Sequence, residues 1–366
     1  MFGSSQKAAA PVEEAWDPTV PPFEQAIHLR IVEPTEENVA KINEFRDALA
    51  NHKLASLYEN HKAWADDTQL QRFLIARSYN LQKSLDMIIE ALQWREKRKP
   101  SEIDKQEGWE EKMSRESETG KIYCPGQDRW SRPVLIFDNT VQNTPHVDDH
   151  MNFLAFNLEF AIKTMTPDVD KYLVFMHLEN FSFFNMPPFA STRETIQMMC
   201  TCFPERLGHC IAYRPPGIFR TFFDTVKGFL DPRTVSKMIF ITGDVSDGSE
   251  NDKLLRKIIG DNWKVLTGAE QSRVDDKTSP GYIHHKYWPT VVERLEEVRS
   301  RSTSAKNSSL PVIPPSRQGI EEEDAAPPPP PSESPIASAN TSSKVEGESE
   351  RVAEEVANLS LEDHSA

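Results

Sequence analysis

The sequence predicts an α/β domain with a largely parallel sheet, preceded by a small helical bundle and flanked by two arms that lack a core. Three observations predict this. Between about residues 36 and 99 apolar side chains recur at three- and four-residue steps, the spacing of helices that bury one face. After Gly126, short apolar runs alternate with longer amphipathic segments, as in strands joined by helical crossovers. The two ends are rich in Pro, Ala, Ser and Glu and hold too few apolar residues to fold alone.

Residues 1–34, with Pro11, Pro18, Pro21 and Pro22, read as a disordered or loosely attached arm. Residues 35–100 form the bundle. Its clearest helix contains Leu70-Gln71-Arg72-Phe73-Leu74-Ile75-Ala76-Arg77. A second carries Leu81, Leu85, Ile88, Ile89, Leu92 and Trp94, and Pro100 ends it. Residues 101–300 hold the α/β part. Strands are expected at Pro133–Phe137, Tyr172–Leu178, Cys210–Tyr213 and Lys237–Ile241. Helices are expected at Val147–Met165, Phe189–Cys202 and Ile218–Leu230, with a last one at Pro289–Arg299. Residues 301–366, including Pro327 to Pro331, read as a disordered acidic tail, in which Glu350–Leu361 suggests a short helix formed on a partner.

Composition bounds the function. Hydrophobic residues make up 38% of the 366, below the roughly 45–50% of globular chains, as tails would cause. No run of about 18 apolar residues occurs, so no membrane span is expected. The first residues carry acids and no apolar h-region, so no secretory signal is expected. The net charge of −15 argues against nucleic acid as a partner. From Arg301 onward 12 acidic residues face 5 basic ones, so −8 of that charge remains on the rest and a local basic patch fits there. Cys124, Cys200, Cys202 and Cys210 read as free thiols of a reducing, cytoplasmic compartment. The single Cys200-x-Cys202 pair lacks the second pair that a structural zinc needs.

Catalytic signatures do not occur. The chain has neither Gly-rich phosphate loop, no G-x-S-x-G elbow and no H-E-x-x-H pair. Cys210 and Arg214 stand too close for a cysteine-phosphatase loop, and Pro215-Pro216 breaks the helix start that would cradle phosphate. An α/β domain without such a constellation reads as a binding module, not an enzyme. Of the 19 Phe, 15 lie from Phe137 to Phe240. Ile218, Phe219, Phe222, Phe223, Val226, Phe229 and Leu230 make one broad apolar helix face. Composition alone favours a well-filled core there. The other reading is the wall of an apolar ligand cavity.

Two segments carry a resemblance. Leu70-Gln71-Arg72-Phe73-Leu74-Ile75-Ala76-Arg77, then Trp94-Arg95, is similar to the L-x-R-F-L-R-A-R … W-R signature of the CRAL-TRIO N-terminal region. Phe203-Pro204-Glu205-Arg206-Leu207-Gly208, then Phe229-Leu230-Asp231-Pro232-Arg233-Thr234-Val235-Ser236-Lys237, resembles the Y-P-E-R-L-G … F-L-D-P-x-T-x-S-K signature of the CRAL-TRIO lipid-binding domain. Order and spacing fit over about residues 40 to 300, most closely the yeast-type phosphatidylinositol transfer proteins of fungi and plants.

The resemblance implies a sheet-floored pocket for one phospholipid under a mobile gate helix, here Ile218–Leu230. It implies docking on a membrane, gate opening, lipid exchange and release by a peripheral monomer, or presentation of the lipid to a phosphoinositide kinase. Carried over residue by residue, the inositol-phosphate site would be Arg77, Glu205, Arg206, Thr234 and Lys237. Guanidinium and ammonium donors suit a phosphodiester, and a carboxylate and a hydroxyl suit inositol hydroxyls. Each has a plainer reading: a helix C-terminus for Arg77, a surface pair for Glu205 and Arg206, a helix or turn residue for Thr234, a solvated strand start for Lys237. Phe219, Phe222, Phe223 and Val226 would line the gate. On the pocket strand Tyr172, Val174 and Met176 share a face, and His177 turns away as a hydrogen-bonded core residue. Tyr172 and Val174 stand where dual-specificity members carry a Ser-x-Thr pair for choline phosphate, which argues against phosphatidylcholine. No cofactor is expected; a sterol, a haem on Tyr172, or a non-lipid interaction protein with the same fold are the alternatives.

Overall fold

The computed structural model describes residues 31–307, except Val32, Pro145, Asp276 and the side chains of 302–307. Most of the expected 1–34 arm and of the 301–366 tail, with Glu350–Leu361, lies outside the described residues. Where the arm becomes visible it is held: Ile31 is buried and its N–H donates to Asp170 Oδ2 at 3.0 Å.

Four helices make the bundle: α1 (Glu36–Ala50), α2 (Ala55–Asn60), α3 (Asp67–Ala76) and α4 (Leu81–Arg98). Side-chain caps at Thr35, Asp66 and Asn80 accept from the first-turn N–H groups of α1, α3 and α4 and so fix where these helices begin. Lys99 takes a left-handed conformation before Pro100 and ends α4. Phe45, Leu49, Leu70, Phe73, Leu74, Ile88 and Leu92 are fully or nearly fully buried and merge with one face of the sheet into a single core.

The α/β part follows as α5 (Trp109–Ser117), β1 (Ile122–Gln127), β2 (Pro133–Phe137), α6 (Val147–Lys163), β3 (Tyr172–His177), α7 (Phe189–Gln197), β4 (Leu207–Tyr213), α8 (Gly217–Val226), α9 (Pro232–Ser236) and β5 (Met238–Ile241). It closes with α10 (Glu250–Ile258), α11 (Trp263–Thr267) and α12 (His284–Asn307). The sheet order is β1-β2-β3-β4-β5, antiparallel between β1 and β2 and parallel elsewhere. Alternation splits β3: Tyr172 and Val174 join the core shared with the bundle and α6, while Leu173 and Phe175 join a second core with Leu255, Ile258 and Trp263.

Several sequence boundaries shift. The expected helix Phe189–Cys202 is α7 followed by a π-turn over Met198–Cys202. The expected gate is α8 plus a 3₁₀ turn at Lys227–Phe229, because Gly228 and the coming Asp231-Pro232 favour a tightened end. Strand β5 starts at Met238, one residue after Lys237, which instead caps α9. The last helix extends beyond Pro289–Arg299 on both sides, so residues 301–307 are helical and not the start of a disordered tail.

Candidate functional site

One face of the sheet floors a cavity of about 630 Å³. Tyr172, Val174 and Met176 of β3 and Cys210 of β4 form its floor, and Phe219, Phe222, Phe223 and Val226 of α8 form its lid. The three β3 residues therefore look inward together, and His177 turns away and pairs through Nε2 with the carbonyl of Thr267 at 2.7 Å. The apolar run of α8 is a lid over space as well as a packed face. Phe219 meets Phe181 edge to face at 5.3 Å and lies stacked on Phe223 at 6.3 Å. Phe229 departs from that face and is 48% exposed.

Polar side chains of the wall gather at two edges, with Asn185, Ser191, Thr192 and Thr195 lining it besides from the loop after β3 and from α7. Where β2 ends, the wall carries Asn139, Thr140, Thr144 and His150. Where the parallel strands begin, it carries Arg77, Glu205, Asp231, Thr234 and Lys237. Four of the five residues expected for a headgroup thus meet at one mouth. Arg77 is the C-cap of α3, as the plainer reading has it, and its Nη1 donates to the carbonyl of Ala76 at 3.1 Å. It lines the cavity from that position. Thr234 sits in the first turn of α9, its hydroxyl 2.7 Å from the cap Asp231. Lys237 is 6% exposed, not solvated, with Nζ 3.9 Å from Glu205 Oε2.

Arg206 does not join them. It is absent from the cavity wall, and its Nη1 donates to the carbonyl of Asp170 at 2.8 Å. The left-handed turn at Glu205 sends that side chain into the mouth, and Arg206, at the entry to β4, reaches back to the Asp170 carbonyl instead. Burial, then repulsion from Arg72, lowers the Arg206 pKa to about 10. It is a structural cation, neither a ligand donor in this arrangement nor half of a surface pair.

Glu205 is the most strongly held group of the site. Its φ of +56° is in the left-handed region, uncommon for a residue with a side chain. Two buried cations fix that turn. Lys171 Nζ donates to the Glu205 carbonyl at 3.0 Å and to Oε2 at 3.3 Å, and Arg72 Nη1 donates to the same carbonyl at 3.2 Å. Arg72 is anchored on Asp170 at 2.6 Å. Arg233 reaches Glu205 Oε1 at 3.5 Å. Burial alone would raise the Glu205 pKa; Lys171, then Lys237 and Arg233, outweigh it and bring it down to about 2. The sequence reading passed over Lys171. Its only signal was an Asp170-Lys171 pair directly before the apolar run Tyr172–Met176, where a solvated charge has no room.

A bundle capping one face of a mostly parallel sheet, with a largely apolar cavity under a Phe-rich helix and a charged mouth, defines a protein built to hold an amphiphile. Residues 41–90 match the CRAL/TRIO N-terminal domain and residues 117–262 match the CRAL/TRIO domain, together more than half of the chain. The chain belongs to the CRAL-TRIO family. It is 26% identical over 257 residues to the phosphatidylinositol transfer protein PDR17 of Saccharomyces cerevisiae, covering 68% of each chain. It is 28% identical over 262 residues to the SEC14 cytosolic factor of Kluyveromyces lactis, covering 68% of this chain and 82% of that one. A CRAL-TRIO domain-containing protein of Schizosaccharomyces pombe is 26% identical over 259 residues, which is 71% of this chain but only 24% of that protein. The crystal structure of Sfh5 superposes with a TM-score of 0.46 at 13% identity, covering 73% of this chain and 99% of that one, and the fold assignment rests on the two domain matches. Among the described residues no helix is long and apolar enough to cross a membrane.

Proposed function

We propose that the protein binds one phosphatidylinositol in this cavity and exchanges it at membrane surfaces, with no chemical step and no cofactor. The observation that carries this reading is the meeting of Arg77, Glu205, Thr234 and Lys237 at one mouth of a largely apolar cavity. Lys237 and Arg77 supply charged donors for a phosphodiester, and Glu205 and Thr234 supply acceptors for ring hydroxyls. Each buried CH₂ of the acyl chains contributes ~0.8 kcal/mol, so the cavity, not the headgroup, provides most of the affinity. Val174 in the floor offers no polar group to a choline phosphate, which disfavours phosphatidylcholine. The transfer-protein names of the relatives agree with it.

The rim of the cavity suits a membrane. Phe184 lines the cavity and is 97% exposed, with Phe183 beside it at 6.2 Å between ring centroids. Presentation of a headgroup held at the charged mouth to a phosphoinositide kinase belongs to the same reading. One chain suffices, acting in the cytoplasm and peripherally on membranes.

The test is organic extraction of the purified protein with mass spectrometry, joined to vesicle transfer by Lys237→Ala. Inositol phospholipid in the extract and loss of its transfer by the variant are expected. A folded Lys237→Ala protein that transfers the lipid normally overturns the headgroup assignment. An empty cavity without exchange turns the reading toward an interaction protein, and a visible absorption band toward haem.

A further inference from the structure

Lys171 touches Glu205 more closely than any other cation of the mouth, yet it is not part of the cavity wall. It is 2% exposed. Lys237, which does line the wall, stands 3.9 Å from the same carboxylate oxygen that Lys171 approaches to 3.3 Å. The difference in place implies a difference in task. A phosphodiester entering the mouth draws Lys237 and Arg77 to itself, because these are the cations that face the cavity. Glu205 is then a buried carboxylate beside a second anion. It accepts hydroxyl hydrogens fully only while ionised, and an unpaired buried carboxylate takes up a proton instead. A cation that the ligand cannot reach prevents this.

We propose that Lys171 is a positioning residue, a counter-ion outside the cavity that keeps Glu205 ionised and turned into the mouth while Lys237 is engaged by a phosphate. The mouth then selects a phosphate that carries hydroxyls over one that carries a quaternary ammonium. This rests on the headgroup reading above. Without the Lys171 charge, only Arg233, 3.5 Å from Oε1, still holds Glu205 from outside the cavity, and the carboxylate is left more easily protonated or more open to choline. Burial and Lys237 lower the Lys171 pKa to about 7, while Glu205 and Asp170 act the other way. A phosphate beside Lys237 opposes that lowering, so the ammonium is held best when the ligand is present. Arg72 also donates to the Glu205 carbonyl, at 3.2 Å, so the turn keeps one of its two backbone anchors when Lys171 is replaced.

The experiment uses the full chain with Lys171→Met, Lys171→Gln and Lys171→Arg. Each protein is incubated with phosphatidylcholine vesicles containing a minor share of phosphatidylinositol, re-isolated, and its bound lipid measured by mass spectrometry. The wild type is expected to carry inositol phospholipid. In Lys171→Met and Lys171→Gln the ratio of inositol to choline lipid is expected to fall at least tenfold at unchanged total lipid, with partial recovery in Lys171→Arg. An unchanged ratio, or an equal fall of every lipid, overturns the inference and leaves the headgroup reading standing. A wild type without inositol phospholipid overturns the headgroup reading itself, whatever the variants do. If Lys171→Met does not fold, Lys171→Gln still offers the Glu205 carbonyl a donor while removing the charge, and the ratio decides.

Discussion

Phe181 meets Phe219 edge to face, ring centroids 5.3 Å apart and planes at 90°, and so ties the loop after β3 to the lid helix α8. The same loop ends at Phe189, which meets Phe229 beyond the other end of the lid at 5.7 Å. Lid and loop therefore touch at both ends of α8, and Phe183 and Phe184 project from the loop between these contacts.

Those two rings provide the first prediction. Because Phe184 is almost wholly exposed and Phe183 about half, Phe183→Ser with Phe184→Ser costs little folding stability. If the rings enter a bilayer interface, each loses part of the roughly 1.5–3 kcal/mol that burying such a side chain is worth. Vesicle binding and transfer are expected to drop at least tenfold, while lipid already in the cavity and the melting temperature stay unchanged. Sedimentation with vesicles and a transfer assay read this out; unchanged binding removes the loop from the docking surface.

A pair of arginines separates ligand from scaffold. Arg77→Leu is expected to lower inositol-lipid loading about tenfold, the value of one charge-assisted contact, with a small change in melting temperature. Arg206→Leu is expected to do the reverse, destabilising by roughly 1–3 kcal/mol, because it removes the donor to the carbonyl of the half-buried Asp170. Loading per folded molecule and thermal melts of both variants check the assignment.

The lid itself is expected to be marginal. Phe219→Ala removes a ring that touches Phe181, Phe222, Phe223 and Phe240. Phe→Ala in a full core costs roughly 3–5 kcal/mol, and the cavity under this ring lowers that figure, since fewer neighbours are lost. Faster lipid loss during gel filtration than in the wild type is the expected signature.

Acid is expected to unfold the protein in two stages. Burial, then Lys121, lowers the His150 pKa from 6.5 to about 4. Between these values the unfolded chain binds a proton that the folded chain refuses, so stability present above pH 6.5 is lost as pH falls toward 4. The Glu205 pKa lies at about 2 against 4.5 unfolded, so a second loss sets in as pH falls below 4.5. Denaturant melts across pH 3 to 7 should show His150→Asn flattening the upper window and Glu205→Gln the lower one.

The sequence was most legible where burial is complete. Strand β2 falls on the expected Pro133–Phe137 because an unbroken apolar run between turn residues has one good solution. Strand β1 was invisible because Pro125-Gly126 reads as a turn. The sheet accepts it at an edge, where the register shifts between Tyr123 and Gly126 and Pro needs no ladder partner. Helices α10 and α11 escaped because they are short and largely charged or irregular. At the mouth, Glu205, Thr234 and Lys237 were legible only through the signature, since each alone suits a turn or a strand start. Arg206 was misplaced because a linear motif does not say which of two adjacent side chains faces the ligand. Lys171 was missed because a lysine at a strand start is ordinarily wet.

The loop that carries Phe183 and Phe184 has no charged side chain between Glu179 and Arg193, in a chain that is 27% charged. Ionic strength has nothing to screen on such a rim. If this rim is what meets a bilayer in the proposed exchange, the loop itself offers no charge for anionic headgroups to attract, and its contribution to landing rests on apolar burial alone.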